Sequence, residues 1–165
     1  VLDGALEHKD DMGNGDVIRP GEIQRMTAGT GVHHSEYNAS NDAPVRFLQI
    51  WIIPEAAGLK PGYEQIAFSD AERLGKLRLI ASRDGRDGSA TVHQDVDIYA
   101  GVLRDGESST VALREGRGAW VQIARGEAKV NGQALSEGDA VSIENEAEVA
   151  VSSDGEAEVL VFDLA

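Results

Sequence analysis

Short runs of alternating apolar and polar residues dominate this chain, and glycine-containing turns separate them. Such runs fall at Ala5–Lys9, Glu22–Thr27, Val45–Ile53, Lys76–Ala81, Thr91–Leu103, Ser109–Leu113, Ala119–Ala124, Glu127–Val130, Ala140–Ile143, Ala147–Ser152 and Glu158–Asp163. A period of two places alternate side chains on one sheet face, so each run is read as a strand. Asp3-Gly4, Gly13-Asn14-Gly15, Asp84-Gly85, Asp87-Gly88, Asp105-Gly106, Asn131-Gly132 and Asp154-Gly155 supply residues that tolerate positive φ, as hairpin turns require. Many short strands with regular turns predict an all-β fold of antiparallel barrels or sandwiches. Helix has one short candidate: Ser69-Asp70-Ala71-Glu72 has the capping-box pattern, and Gly75 stops the segment soon afterwards.

The stretch Pro54-Glu55-Ala56-Ala57-Gly58 and the following Lys60-Pro61-Gly62 do not suit the inside of a sheet. This is the expected connection between two domains. A weak internal repeat agrees: Leu2–Leu6 followed by Gly21–Met26 resembles Ala124–Ala128 followed by Gly138–Ile143. Each copy reads strand, glycine turn, strand, then glycine, an acidic residue and another strand, which predicts two related barrels. The chain opens on Val1-Leu2 with Asp3-Gly4 behind it, like the end of a buried strand entering a turn. We therefore expect residues upstream of Val1, and an N-terminal barrel that is incomplete here.

Composition narrows the function classes. Hydrophobic residues make up 41%, enough for a core, and no apolar run is long enough to span a bilayer. With 29 acidic against 15 basic residues the formal net charge is −14, which argues against direct contact with nucleic acid. There is no cysteine, so disulfides, thiolate ligands and thiol nucleophiles are excluded and a metal would be held by His, Asp or Glu. The lack of disulfides fits a cytoplasmic protein.

The chemistry centres on Gly29-Thr30-Gly31-Val32-His33-His34-Ser35-Glu36-Tyr37-Asn38. On a strand, His34 and Glu36 point to one face while Ser35 and Tyr37 point to the other. An imidazole and a carboxylate converging in this way suit a divalent first-row metal. A buried, hydrogen-bonded His–Glu pair is the other reading. His33, opposite His34 in the pleat, is expected at the surface. His8 lies on a candidate strand, where a pocket or supporting role competes with ordinary partial burial. Gln49 and Trp51 share a face of the Val45–Ile53 run, with Trp51 read as core and Gln49 as able to point into the pocket. His93-Gln94-Asp95 has no nucleophile with it and is read as structural. Glu144-Asn145-Glu146-Ala147-Glu148 reads as a solvated face, and Gly13-Asn14-Gly15 lacks the helix and lysine of a phosphate loop.

Gly31-x-x-His34-x-x-x-Asn38 fits the second motif of the cupin superfamily. A finer match runs through Val1-Leu2-Asp3-Gly4, Glu7-His8-Lys9-Asp10, Met12-Gly13-Asn14, Met26–Glu36, Gln49-Ile50-Trp51-Ile52, Gly62-Tyr63-Glu64-Gln65 and His93-Gln94-Asp95. In these residues the chain resembles the pirin family. The resemblance implies a bicupin, with residues 1–66 the remainder of an N-terminal metal-binding barrel and 67–165 a C-terminal barrel without a metal site. It implies one divalent metal, iron first, with nickel, zinc, manganese, cobalt and copper as alternatives. His34 and Glu36 are the implied ligands, and an HxH pair expected upstream of Val1 would complete the set.

The implied activity is a quercetin 2,3-dioxygenase type of reaction: ring opening of a flavonol-type substrate with O2, Glu36 taking the substrate hydroxyl proton. The other implied role is a non-catalytic, metal-responsive regulatory protein with a protein partner.

Overall fold

The computed structural model describes residues 1–165, and its regular structure is almost all strand. In chain order the elements are β1 (Leu6–Asp10), β2 (Gly15–Ile18), β3 (Glu22–Thr27), β4 (His34–Asn38), β5 (Gly62–Ala67), α1 (Asp70–Arg73), β6 (Arg78–Ser82), β7 (Ala90–Thr91), β8 (Val96–Leu103), β9 (Ser108–Ala112), β10 (Gly118–Val130), β11 (Gln133–Ser136), β12 (Ala140–Ile143), β13 (Glu148–Ser152) and β14 (Ala157–Leu164). The all-β reading therefore holds, and none of the helices is long and apolar enough to cross a membrane. The chain divides into two compact units: Val1–Phe68 with Ala90–Gln94, and Ser69–Ser89 with Asp95–Ala165.

In the first unit, β1 lies between β2 and β4 in an antiparallel three-stranded sheet. The turn joining β1 to β2 is built by Asp10. Its carboxylate accepts hydrogen bonds from the Met12 backbone at 3.0 Å, the Asn14 backbone at 2.9 Å and the Asn14 amide at 2.8 Å. An Asp side chain that satisfies the turn's own backbone donors fixes the register of the strands it joins. Leu2, Leu6, Ile18 and Phe68 are the buried apolar residues near these elements in sequence. A second, two-stranded sheet pairs β3 with β5 and sets Met26 opposite Tyr63 and Gln24 opposite Gln65.

The second unit has strand order β6-β8-β14-β10-β13-β9, with β11 and β12 also paired to β10. Inward positions of β8, β10, β13 and β14 supply its core, including Leu103, Val121, Ile123, Val149, Val151, Val159 and Val161. A buried ion pair lies outside that apolar set: Arg117 donates from Nε to the Asp163 carboxylate and from Nη2 to the Asp163 carbonyl at 3.0 Å. Arg117 Nη1 also lies 3.0 Å from Asp95 Oδ1.

The structure redraws several strand boundaries. Ala119–Ala124 and Glu127–Val130 are one strand, β10, with a register shift between Ile123 and Arg125 in its pairing with β14. Gly126 adopts φ +68 there, and a Cβ on it would run into the Glu156 carbonyl, so the glycine bends the strand without ending it. Thr91–Leu103 is broken after β7, where the Gln94 backbone donates to the Val92 carbonyl at 2.9 Å in a tight turn. The Val45–Ile53 run forms no strand beyond an isolated bridge between Arg46 and Asp3. Trp51, expected in the core, is 88% exposed, because without strand pairing nothing presses its apolar face against a sheet. β2, β5 and β11 carry weak alternation or follow proline and glycine, which conceals them in the pattern. The short helix stands where expected: Glu72 accepts from the Ser69 backbone at 2.8 Å and from the Ser69 hydroxyl at 2.7 Å.

Two substitutions test the second unit. Arg117→Ala leaves the buried Asp163 carboxylate without its guanidinium and should destabilise the chain by about 3–5 kcal/mol, read from urea unfolding followed by circular dichroism. Gly126→Ala forces a side chain into a left-handed backbone against a carbonyl. It should cost more than about 1 kcal/mol in the same assay while leaving the β spectrum of the folded state in place.

Candidate metal centre

The approach to β4 is set by a glycine turn. Gly31 donates to the Ala28 carbonyl at 2.9 Å, and Thr30 donates to the Leu59 carbonyl at 3.0 Å. Gly29 has φ +54 and passes so close to the Leu59 carbonyl that a Cβ would overlap it. From there β4 pairs antiparallel with β1, so that His34 lies opposite Asp10 and Glu36 lies opposite His8. Directly opposed residues project to the same face. The spacing His8-x-Asp10 and the spacing His34-x-Glu36 thus place four polar side chains on one patch of one sheet.

The donor atoms of His8, His34 and Glu36 all lie within 4.8 Å of one another. His8 is fully buried, and its Nδ1 is 3.7 Å from Glu36 Oε1. The His8 and His34 rings are 5.5 Å apart between centroids. Gln24 donates from Nε2 to Glu36 Oε1, which fixes the carboxylate from β3. Tyr63 stacks on His8 with centroids 4.7 Å apart and planes 18° from parallel. The Tyr63 hydroxyl donates to Gln65 Oε1 at 2.9 Å. Burial, helped by Asp16, Asp10, Glu36 and Glu22, pushes the Tyr63 phenol up to about 12, so it remains a protonated donor. Behind His8, Asp10 Oδ2 is 3.3 Å from Nε2. Burial acts to raise the Asp10 carboxyl, but the hydrogen bonds from Asn14, His8 and Met12 outweigh it and hold the group below its ordinary range.

The residues singled out in the sequence divide clearly. His8, His34 and Glu36 come together. His33 points away, with its side chain 97% exposed and Nδ1 3.1 Å from Asp11. Gln49 does not join the cluster: it is exposed, and residues 47–53 form no strand to aim it inward. His34 shares a face with Glu36, but it is exposed rather than enclosed, because it sits at the start of β4, an edge strand of its sheet. It borders an open depression with Lys9, Asp10, His33 and Ser35. His93 and Gln94 serve the backbone: the His93 carbonyl accepts from Glu55 at 2.8 Å, and Gln94 Nε2 donates to the Ile53 carbonyl at 2.9 Å.

Asp10, Gln24 and Tyr63 were not anticipated. His8-x-Asp10 repeats the spacing of His34-x-Glu36 and could have been noticed, whereas Gln24 and Tyr63 come from the separate β3–β5 sheet and meet the site only through side-chain contacts with Glu36 and His8. The sequence offset that carries Gly21 to Gly138 carries His34 and Glu36 to Val151 and Ser153, and both of these serve the fold. Val151 is in the apolar core, and the Ser153 hydroxyl donates to the Glu127 carbonyl at 3.0 Å.

Two imidazoles and one carboxylate form a donor set suited to a divalent first-row metal. The fit has a structural mark. Buried His8 Nδ1 has no hydrogen-bond partner, although it faces the carboxylate of Glu36. A buried polar atom without a partner is costly, and a cation at this point removes that cost.

Similarity to known proteins agrees with this geometry. The Pirin family model matches residues 1–52, and that of the quercetinase C-terminal cupin domain matches residues 79–164. Quercetin 2,3-dioxygenase of Escherichia coli K12 is 42% identical over 164 residues, covering 99% of this chain and 70% of that protein. A putative quercetin 2,3-dioxygenase of Pasteurella multocida is 37% identical, with the same coverage of 99% and 70%. The crystal structure of YhhW from E. coli superposes with a TM-score of 0.93 at 41% identity, over 100% of this chain and 69% of that one. Bacterial pirin YhhW in complex with nickel(II) superposes with a TM-score of 0.90 over 99% and 69%. Fold, motif and overall similarity converge, and the chain belongs to the pirin family.

Proposed function

We propose that the chain is the metal-bearing portion of a quercetin 2,3-dioxygenase-type enzyme that opens flavonol-type substrates with O2. The observation that carries this reading is the convergence of His34 and Glu36 with buried His8 on one sheet face. His34 and Glu36 hold the ion, which we take to be iron. When bound, the ion supplies Lewis-acid polarisation and a template for substrate and O2.

The remaining work belongs to the chain. The hydrogen bond from Gln24 to Glu36 Oε1 holds the carboxylate in one orientation. Glu36 accepts the proton of the substrate hydroxyl, for which a carboxylate within hydrogen-bond reach is a competent base. The exposed side of His34 leaves the approach to the site open. Residues 1–66 carry this chemistry and residues 67–165 form the non-metal barrel. The names of the relatives support an enzyme rather than a regulatory protein, and the cysteine-free composition fits a cytoplasmic setting.

His34→Ala and Glu36→Ala should each remove bound metal and lower quercetin-dependent oxygen uptake by a factor on the order of 100 or more. His33→Ala should leave both unchanged, since its ring faces solvent. Glu36→Gln should retain part of the metal and lose turnover, because the amide offers an oxygen ligand but no base. Metal content by mass spectrometry beside oxygen uptake separates these outcomes. Full occupancy in His34→Ala, or damage confined to His33→Ala, would place the wrong histidine in the site.

A further inference from the structure

We propose that Tyr63 is a positioning residue for Glu36: its one hydroxyl hydrogen sits between two glutamine amides and keeps the nitrogen of Gln24 turned toward that carboxylate. The inference rests on the reading of His34 and Glu36 given above and leaves the ligands of that site unchanged. Gln24 and Gln65 lie opposite each other in the β3–β5 register, and Tyr63 precedes Gln65 by two residues, so a period of two places all three on one face. Both ends of this row are groups that only accept. At one end, Gln24 donates from Nε2 to Glu36 Oε1. At the other, Gln65 donates from Nε2 to the Val17 carbonyl at 3.3 Å and to Glu22 Oε2 at 3.2 Å. The Glu22 carboxylate is itself held by the Arg19 backbone N–H at 2.8 Å. An amide carries its donors on nitrogen and its acceptor on oxygen. Both nitrogens must therefore turn outward, and both amide oxygens turn inward.

Between those two oxygens lies the Tyr63 hydroxyl, 2.9 Å from Gln65 Oε1 and 3.4 Å from Gln24 Oε1. It has one hydrogen for two acceptors. Burial pushes the phenol up to about 12, so the hydrogen stays in place. The ring is stacked on His8 with centroids 4.7 Å apart, and this packing fixes where the hydroxyl stands. Take the hydroxyl away and two amide oxygens face each other with no hydrogen to share. Either amide then gains by turning its nitrogen inward. For Gln24 that reversal would set its oxygen against the Glu36 carboxylate, where two acceptors repel, and would remove the hydrogen bond that holds Glu36. Hydrogen bonds joined in such a row also polarise and strengthen one another. The carboxylate is thus oriented from the β3–β5 sheet, and loss of such an outer partner costs about 10–100-fold in metal affinity.

The test uses the full chain, first metal-free and then with Zn2+ as the probe. In the wild type, the Gln24 amide hydrogens should exchange slowly with water and show no close contact with the Tyr63 hydroxyl in proton spectra. Close contact between those hydrogens and the phenol shows the reversed amide and overturns the inference, even where a variant does not fold. Tyr63→Phe keeps the ring and its stack on His8 and removes only the hydroxyl. It should speed exchange of the Gln24 amide hydrogens and weaken zinc affinity about tenfold by calorimetry, with His33→Ala leaving both as in the wild type. Gln24 amide signals unchanged in Tyr63→Phe, with zinc affinity weakened only by Gln24→Ala, mean that the hold on Glu36 ends at Gln24. The inference is then overturned and the site reading stands. Zinc binding that survives both His34→Ala and Glu36→Ala fails the site reading, and the metal-free amide spectra still decide the role of Tyr63.

Discussion

The register between β1 and β4 is the constraint on which the candidate site depends. Every polar group at the centre is placed by it: His8 across from Glu36, and Asp10 across from His34. A slip of one residue would turn Glu36 and His34 to the other face and bring Ser35 and Tyr37 inward. What prevents that slip is local. The Asp10 carboxylate locks the turn into β2, and the glycine turn against the Leu59 carbonyl fixes where β4 begins. The turn residue Asp10 is also the partner of His8 Nε2, so one side chain sets both the strand register and the ring orientation.

The alternation and turn residues made the all-β class legible, and the motif around His34 and Glu36 made the metal chemistry legible. Less of the detail could be read, for identifiable reasons. Gly126 looked like a strand end because glycine usually is one, yet here it serves a bend inside β10 that only a residue without Cβ permits. Residues 45–53 alternate as a strand would, but pattern alone does not provide a pairing partner, and Trp51 and Gln49 remain exposed. Asp10 is remote from the motif in sequence and reaches it by cross-strand pairing, whereas Gln24 and Tyr63 reach it from a separate sheet, through a hydrogen bond to Glu36 and a stack on His8. Long-range pairing is the part of a β-fold that local patterns encode least.

The two repeats put the same strand logic to different uses. In the second unit, Val151, the cross-strand partner of Val130, lies in the core, and Ser153 is tied to a backbone carbonyl. Apolar and backbone-satisfied groups need no ion and contribute to stability directly. In the first unit the β1–β4 patch holds two imidazoles and two carboxylates, one imidazole with an unsatisfied nitrogen. Such a patch is expensive for a fold to keep, and its arrangement makes sense as a place where something positively charged is held. The unsatisfied His8 nitrogen is thus the group that links the stability of this unit to its chemistry. Desolvation raises the cost of leaving that atom bare, and the same desolvation strengthens the attraction of the patch for positive charge.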